Sequence, residues 1–299
     1  MMGDAVLSRW AKQADPFVEV RVPTPFAGSP EFLRLLEGDP RADLTLIALE
    51  IARDAHPGLI PGTYLDKIDE FAERVRQRCP SGASPGQVIG QINWVLFIEE
   101  RFQGSTEDYY NPRNSYLNEV IDRREGIPIS LSVLYRAVAE RLALTMDGVN
   151  LPAHFILRTG QGPSTLFVDP FHGGALLDRQ GCERRIEEVT EQAITLTDQQ
   201  LEPAPLSLIV ARILRNLKAV YLRDQEFTAV LPVLRRLVAL VPDDPLEHRD
   251  LGVSCLRADR PGEAIDPLAI YLNAKPGAKD AEQVRALLRA AWQEVASSN

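Results

Sequence analysis

His154, Asp169 and the serines Ser130 and Ser132 are the residues of this chain whose types and order could do acyl chemistry. His154 opens the strand-like run His-Phe-Ile-Leu-Arg, and Asp169 closes Leu-Phe-Val-Asp 15 residues later. Two antiparallel strands joined by a short turn would set these side chains next to each other. A carboxylate bonded to one imidazole nitrogen fixes the tautomer and leaves the other nitrogen to act as a base. The nucleophile for such a base belongs at the head of the preceding helix. There, unpaired N–H groups and the helix dipole stabilise a thiolate or an oxyanion. Gly126-Ile127-Pro128 marks that helix start, because proline suits the first turn. Ser130 and Ser132 stand in it, and no cysteine does. A serine needs a well-placed base to react, and no Gly-x-Ser-x-Gly elbow surrounds either one. The plainer role for Ser130 is to satisfy local backbone groups.

A second cluster, Asn111, Arg113, Asn114, Tyr116 and Asn118, precedes that helix. Asn and Arg offer donors in fixed geometry, suited to a carboxylate, an amide or a buried turn. Two readings stay open: a peptide-binding wall beside His154, or a polar network that pins a loop. His172, in Asp-Pro-Phe-His-Gly-Gly, could line the same cleft. His154, Asp169 and His172 do not form a recognised metal spacing, so a turn histidine is expected, with no metal and no cofactor. His56 and His248 read as surface or helix-end residues. Cys79, Cys182 and Cys255 are far apart and lack Cys-x-x-Cys spacing, as expected of free thiols in a reducing cytoplasm. Cys182 could act as a surrogate thiol, but a buried, inert cysteine is the expectation.

The elements around these residues follow from periodicity. Leu131, Leu134, Val138 and Leu142 share one helical face, with Arg136 and Glu140 opposite. His154 to Arg158 alternates as a strand, Gly160 to Pro163 reads as a turn, and Thr165 to Asp169 as the returning strand. Upstream, Asp43 can cap a helix bearing Leu44, Ile47, Leu49 and Ile51, which His56-Pro57-Gly58 stops. Thr63 with Asp66 is a weak capping box before Ile68, Phe71, Ala72 and Val75. Ser81 to Gly86 reads as a loop, and Val88 to Phe102 as a further apolar helix. Met1 to Pro30 holds four prolines and reads as an extended arm.

The last hundred residues repeat. Leu217 and Leu251, Leu222 and Leu256, Leu234 and Leu268, and Pro242 and Pro276 are each 34 residues apart. That period, with a proline closing each unit, is the spacing of tetratricopeptide helix pairs. It predicts Leu208–Leu222 paired with Phe227–Leu240, Pro245–Leu256 paired with Pro261–Asn273, and a capping helix over Ala281–Val295. A plain helical bundle is the alternative.

The chain has 299 residues and a net charge of −9. From Leu206 onward it carries 13 basic and 12 acidic residues, so the acidity lies before the repeats. A net-acidic chain argues against general nucleic-acid binding, which needs a basic face. No apolar stretch is long enough for a signal peptide or a membrane span. A cytoplasmic protein without a membrane partner is therefore expected.

The run ERFQGSTEDYYNPRNSYLNEVIDRREGIPISLS, followed by LPAHFILR and LFVDPFHGG, resembles the transglutaminase-like core of the bacterial SirB-type family, in which tetratricopeptide repeats follow. The resemblance is strong over Glu99 to Cys182 and looser on either side. It implies an α+β fold in three parts: a helical region over 1–98, a transglutaminase-like (papain-like) core with a small antiparallel sheet over 99–205, and helical repeats over 206–299. It also implies a cysteine nucleophile in the slot from Pro128 to Ser130, partnered by His154 and Asp169. This chain lacks that cysteine. The expected function is a non-enzymatic protein- or peptide-binding protein with a relic cleft and a repeat docking surface. The alternative is a hydrolase or acyl-transfer enzyme using Ser130 or a water activated by His154 and Asp169.

Overall fold

The computed structural model describes residues 26–297, so most of the expected extended arm lies outside them. Five helices lead in. They are α1 (Pro30–Leu36), α2 (Leu44–Ala55), α3 (Pro61–Arg78), α4 (Pro85–Asn93) and α5 (Leu117–Arg123). Asp43 caps α2 as expected, its side chain accepting the Leu46 N–H at 2.9 Å. Two expectations shift. α3 begins at Pro61, so Thr63 lies inside it instead of capping it. The helix expected from Val88 begins at Pro85, because Ser84 and Gln87 form a reciprocal capping box. It then widens into a π-helix over Trp94–Glu99.

The central helix is α6 (Pro128–Arg141). Its first half is buried all round: Ile129, Ser130, Leu131, Ser132, Val133, Leu134 and Tyr135 are inaccessible. The expected two-faced pattern therefore holds only toward its C-terminal end, where Arg136 pairs with Glu140 at 2.7 Å. α6 packs against α2, α3, α4 and α5 on one side and a sheet on the other.

That sheet is an antiparallel meander of β3 (Asp147–Leu151), β4 (His154–Thr159), β5 (Leu166–Asp169) and β6 (Ala175–Leu177), paired in that order. The register sets Leu151 opposite His154 and Asp169 opposite Ala175. A short parallel pair, β1 (Gln103–Gly104) with β2 (Glu125–Gly126), ties the loop before α5 to the entry of α6. After β6 comes α7 (Arg179–Thr190), capped by Asp178. Cys182 lies within this helix.

The C-terminal part is α8 (Leu206–Arg223), α9 (Phe227–Leu240), α10 (Pro245–Arg257), α11 (Pro261–Ala274) and α12 (Ala281–Ser297). These five match the helices that the 34-residue period predicts. Leu217, Leu234 and Leu268 are fully buried, as the repeat requires. The spaced prolines also recur in role: the Pro242 carbonyl accepts from His248 Nε2 at 2.8 Å, and the Pro276 carbonyl from Arg285 at 2.7 Å. His248 is thus a buried link between units, not a surface residue.

The repeats share one hydrophobic core with the lead-in helices, α6 and one face of the sheet, while the other face packs on α7 in a second core. Three polar contacts lock the junction. Arg236 of α9, only 2% exposed, bonds both Asp54 carboxylate oxygens at 2.6 and 2.9 Å and Ser29 Oγ at 2.9 Å. Its guanidinium also lies over Phe32, 4.7 Å from the ring centre. Tyr221 of α8 meets Tyr116 through their hydroxyls at 2.8 Å. Arg212 of α8 donates to the Leu151 carbonyl at 2.9 Å.

Removing one partner of a buried ion pair leaves the other uncompensated, at about 3–5 kcal/mol. Arg236→Ala should therefore lower unfolding stability by about 3–5 kcal/mol in urea titrations. It should do so although the residue lies in the repeats and its partners at the other end of the chain. A midpoint equal to wild type would show that the junction is not coupled.

Candidate functional site

The site forms where β4 begins and β5 ends. Adjacent antiparallel strands place His154 and Asp169 side by side, and the 3-10 turn Pro170–His172 returns the chain across them. Such a turn has about three residues per revolution, so positions i and i+3 share a side. Asp169 and His172 therefore face the same point. His172 Nδ1 lies 2.7 Å from Asp169 Oδ2, and His154 Nε2 lies 3.0 Å from the same oxygen. A third cation, Arg185 of α7, brings Nε to 3.2 Å from it. Asp169 and His154 are buried, whereas the His172 side chain is 34% exposed.

Not all of these contacts are aligned hydrogen bonds. His154 Nε2, Arg185 Nε and the second oxygen, Asp169 Oδ1, are buried without a hydrogen-bond partner. Arg185 therefore makes a charge contact and His154 a close polar contact, neither with an N–H aligned on the oxygen. Burial pushes the Asp169 carboxyl up, but the close His154 and His172 nitrogens outweigh it. The group is held well below the ordinary carboxylate range.

Two glycines fix the surroundings. Gly174, at φ +75°, has a position that a Cβ would share with the Asn93 amide, and that amide donates to the Gly174 carbonyl at 2.8 Å. Gly104 packs so closely on Phe171 that a Cβ would sit 2.6 Å from its ring. Phe171 in turn stands edge-on to His154 at 6.2 Å and to Tyr109 at 6.4 Å between ring centres. Tyr109 is the member of the loop before α5 that reaches this wall.

Of the expected cleft residues, His172 reaches this centre, and Asn111, Arg113, Asn114 and Tyr116 bond elsewhere. Asn114 is fully buried and pins the loop: its amide donates to Ser105 Oγ at 3.0 Å and to the Asp108 carbonyl at 2.6 Å, and its Oδ1 accepts from Arg123. Asn111 caps the short turn after it by accepting the Arg113 N–H at 3.0 Å. Arg113 pairs with Glu119 at 2.6 Å, and Tyr116 is committed to Tyr221. Of the two readings open in the sequence, the loop-pinning network is the one whose contacts are present.

Ser130 is also committed. Its Oγ accepts the Ile127 N–H at 3.0 Å and lies 2.6 Å from the Asn114 carbonyl and 3.1 Å from that of Ile127. Its single proton points at backbone, and His154 is not among its hydrogen-bond partners. Ser132 donates to the Pro128 carbonyl at 2.7 Å. Cys182 is fully buried, and burial, followed by the nearby Asp169, Asp178 and Glu183 charges, pushes its thiol up to about 12. A thiol so protonated is a poor nucleophile. His56 is a partly exposed helix-end residue, 3.6 Å from Glu119.

Sequence reasoning missed Arg185 and Tyr109. Arg185 sits in a charge-rich helix with little apolar signal. Tyr109 is one of two adjacent tyrosines that nothing in the pattern ranks.

The geometry is a buried histidine–aspartate centre beside a helix whose first turn carries no cysteine, joined to helical repeats. Residues 62–215 match the transglutaminase-like superfamily, and residues 217–289 match the tetratricopeptide repeat. The "UPF0162 protein" of Xylella fastidiosa (strain Temecula1) is 34% identical over 253 residues, 83% of this chain and 89% of that one. That of Vibrio cholerae is 30% identical over 159 residues, 52% of this chain and 58% of its own length. Mouse F-box only protein 21 is 33% identical over 169 residues, 52% of this chain but 26% of its own length. The chain belongs to the transglutaminase-like superfamily, within the bacterial UPF0162 family.

The depressed Asp169 carboxyl makes a signed prediction. A group whose folded pKa lies below its unfolded value stabilises the protein above the unfolded pKa, about 4 for Asp. That stability is lost as protons bind the unfolded chain preferentially on acidification. The wild type should weaken steeply as pH falls from about 5 toward 2. Asp169→Asn should be weaker at pH 7 by about 3–5 kcal/mol and less sensitive to acid. Urea midpoints at several pH values measure both, and parallel acid limbs for the two proteins would refute the assignment.

Proposed function

We propose that this chain is a non-enzymatic protein- or peptide-binding protein of the SirB type, with a relic transglutaminase-like cleft and a docking surface on its helical repeats. The observation that carries this reading is the state of the nucleophile slot. The head of α6 offers no thiol, and the Ser130 hydroxyl is held by the Asn114 and Ile127 backbone. Oriented imidazole and carboxylate groups without a nucleophile cannot form a covalent acyl intermediate.

The repeats support the binding half. Along the first helices of successive units, Arg215 pairs with Glu247 at 2.9 Å, Lys218 with Asp250 at 3.1 Å and Arg249 with Asp280 at 3.0 Å. These charges neutralise one another, which leaves apolar contact to drive association. A cleft of about 200 Å³ between α10 and α12 is lined by Val253, Leu256, Val284 and Leu287, with Arg249 and Arg257 at its edge. An extended or helical peptide with apolar side chains fits that lining, as other repeat arrays bind peptides on stacked helices. Among the described residues no helix is long and apolar enough to cross a membrane.

The enzymatic alternative keeps one favourable observation, the His154–Asp169 contact, which could activate a water in place of a side-chain nucleophile. The same experiment separates the two. The full-length chain would be panned against a displayed random-peptide library and, in parallel, incubated with amide and ester substrate libraries. Peptides that bind should lose at least tenfold in affinity for a Val253→Glu/Leu287→Glu variant, and turnover should be absent. Turnover that disappears in His154→Ala would overturn the non-enzymatic reading. Enriched peptides indifferent to the cleft variant would overturn the docking surface.

A further inference from the structure

We propose that His154, His172 and Asp169 form a binding site for one divalent first-row transition-metal ion, of which zinc is the representative. This goes beyond the peptide-binding reading and does not depend on it, since metal affinity and peptide enrichment are separate readouts.

The juxtaposition comes first. One ring nitrogen from each histidine and one carboxylate oxygen lie within 4.8 Å of one another. Zinc holds nitrogen and oxygen donors at about 2.0–2.2 Å, so its ligands stand a little over 3 Å apart. The two imidazole nitrogens already converge to 2.7 and 3.0 Å from Asp169 Oδ2. Little movement separates this arrangement from a coordination shell. The backbone supplies the convergence: a strand start for His154, a strand end for Asp169, and a 3-10 turn that sets His172 three residues beyond it.

Unpartnered atoms come second. Among the described residues, seven buried side-chain nitrogen or oxygen atoms have no hydrogen-bond partner, and three of them, His154 Nε2, Asp169 Oδ1 and Arg185 Nε, belong to this one centre. Hydrogen bonds within the protein therefore do not account for it. A cation held by His154, His172 and the Asp169 carboxylate would engage the unpartnered His154 Nε2. Arg185, 3.2 Å from Oδ2, is placed as an outer contact of the kind that orients a ligating carboxylate.

Charge is the obvious objection, because Arg185 is a cation. Its Nη1, however, is paired with Glu188 at 2.6 Å. Asp169, Arg185 and Glu188 together carry −1 when both imidazoles are neutral, which suits a dication better than an anion. Two imidazoles and a carboxylate favour zinc, iron or cobalt over magnesium or calcium, which prefer all-oxygen shells. The half-exposed His172 ring gives the ion a route in. Binding displaces protons from the coordinating nitrogens and forms only coordination bonds.

The test uses the full chain, dialysed against EDTA and titrated with zinc chloride by calorimetry and with cobalt chloride by visible absorption. The expected result is one equivalent of zinc, ligand-field bands for cobalt, and displacement of cobalt by zinc. His172→Gln and Asp169→Asn should each weaken zinc at least tenfold, and His248→Gln should not. Should Asp169→Asn fail to fold, His172→Gln decides, because its ring is at the surface of the site. Absence of stoichiometric zinc in the wild type would overturn the proposal. So would wild-type affinity in His172→Gln, which would place the ion elsewhere.

Discussion

A buried carboxylate is the constraint around which the site is organised. Asp169 is inaccessible to solvent, and an isolated charge so placed would cost several kcal/mol or be neutralised by a proton. It remains charged because three elements bring a donor or cation to one oxygen: β4 with His154, the turn after β5 with His172, and α7 with Arg185. Each of those elements is held by something else. β4 lies on α6, the turn is clamped between Gly104 and Asn93 through Phe171 and Gly174, and α7 starts from the Asp178 cap. The position of one charge thus sets the required placement of much of the middle of the chain.

A second constraint links that middle to its ends. The repeats could in principle form a self-contained array, since stacked helix pairs need only their neighbours. Here the first pair is built into the rest of the molecule. Arg236 closes onto Asp54 and Ser29, Tyr221 onto Tyr116, and Arg212 onto the β3 carbonyl of Leu151. Arg212 is buried enough that desolvation pulls its guanidinium down from its ordinary value. These are polar bonds inside a shared apolar core, so they fix direction as well as proximity. A partner bound on α10 or α12 would meet a surface held rigid relative to the histidine–aspartate centre.

How much of this could be read from the residues depended on the range of the interactions. The helical repeats were legible because a 34-residue period is a property of the linear sequence, and all five helices follow it. The His154–Asp169 contact was legible because a hairpin brings together residues 15 apart with few alternatives. The start of α6 was marked by a proline. Features set by distant segments were not. Arg185 and Tyr109 reach the site only through the packing of α7 and of the loop before α5, and no local pattern marks either. Asn111, Arg113, Asn114 and Tyr116 were the right kind of residues for a cleft. Their partners, Asp108, Glu119, Ser105 and Tyr221, instead satisfy them internally. The amphipathic reading of α6 failed for a related reason: a helix surrounded on nearly all sides shows no clean periodicity.

The oriented histidine–aspartate pair has a structural explanation that does not require catalysis. Ser130, at the head of α6, bonds to the Ile127 and Asn114 backbone and not to His154. Replacing Asp169 would strand two imidazoles and a guanidinium around an oxygen that could no longer balance them. Replacing His154 would remove a ring nitrogen 3.0 Å from a fully buried carboxylate. The pair is therefore accounted for first by the stability of this centre.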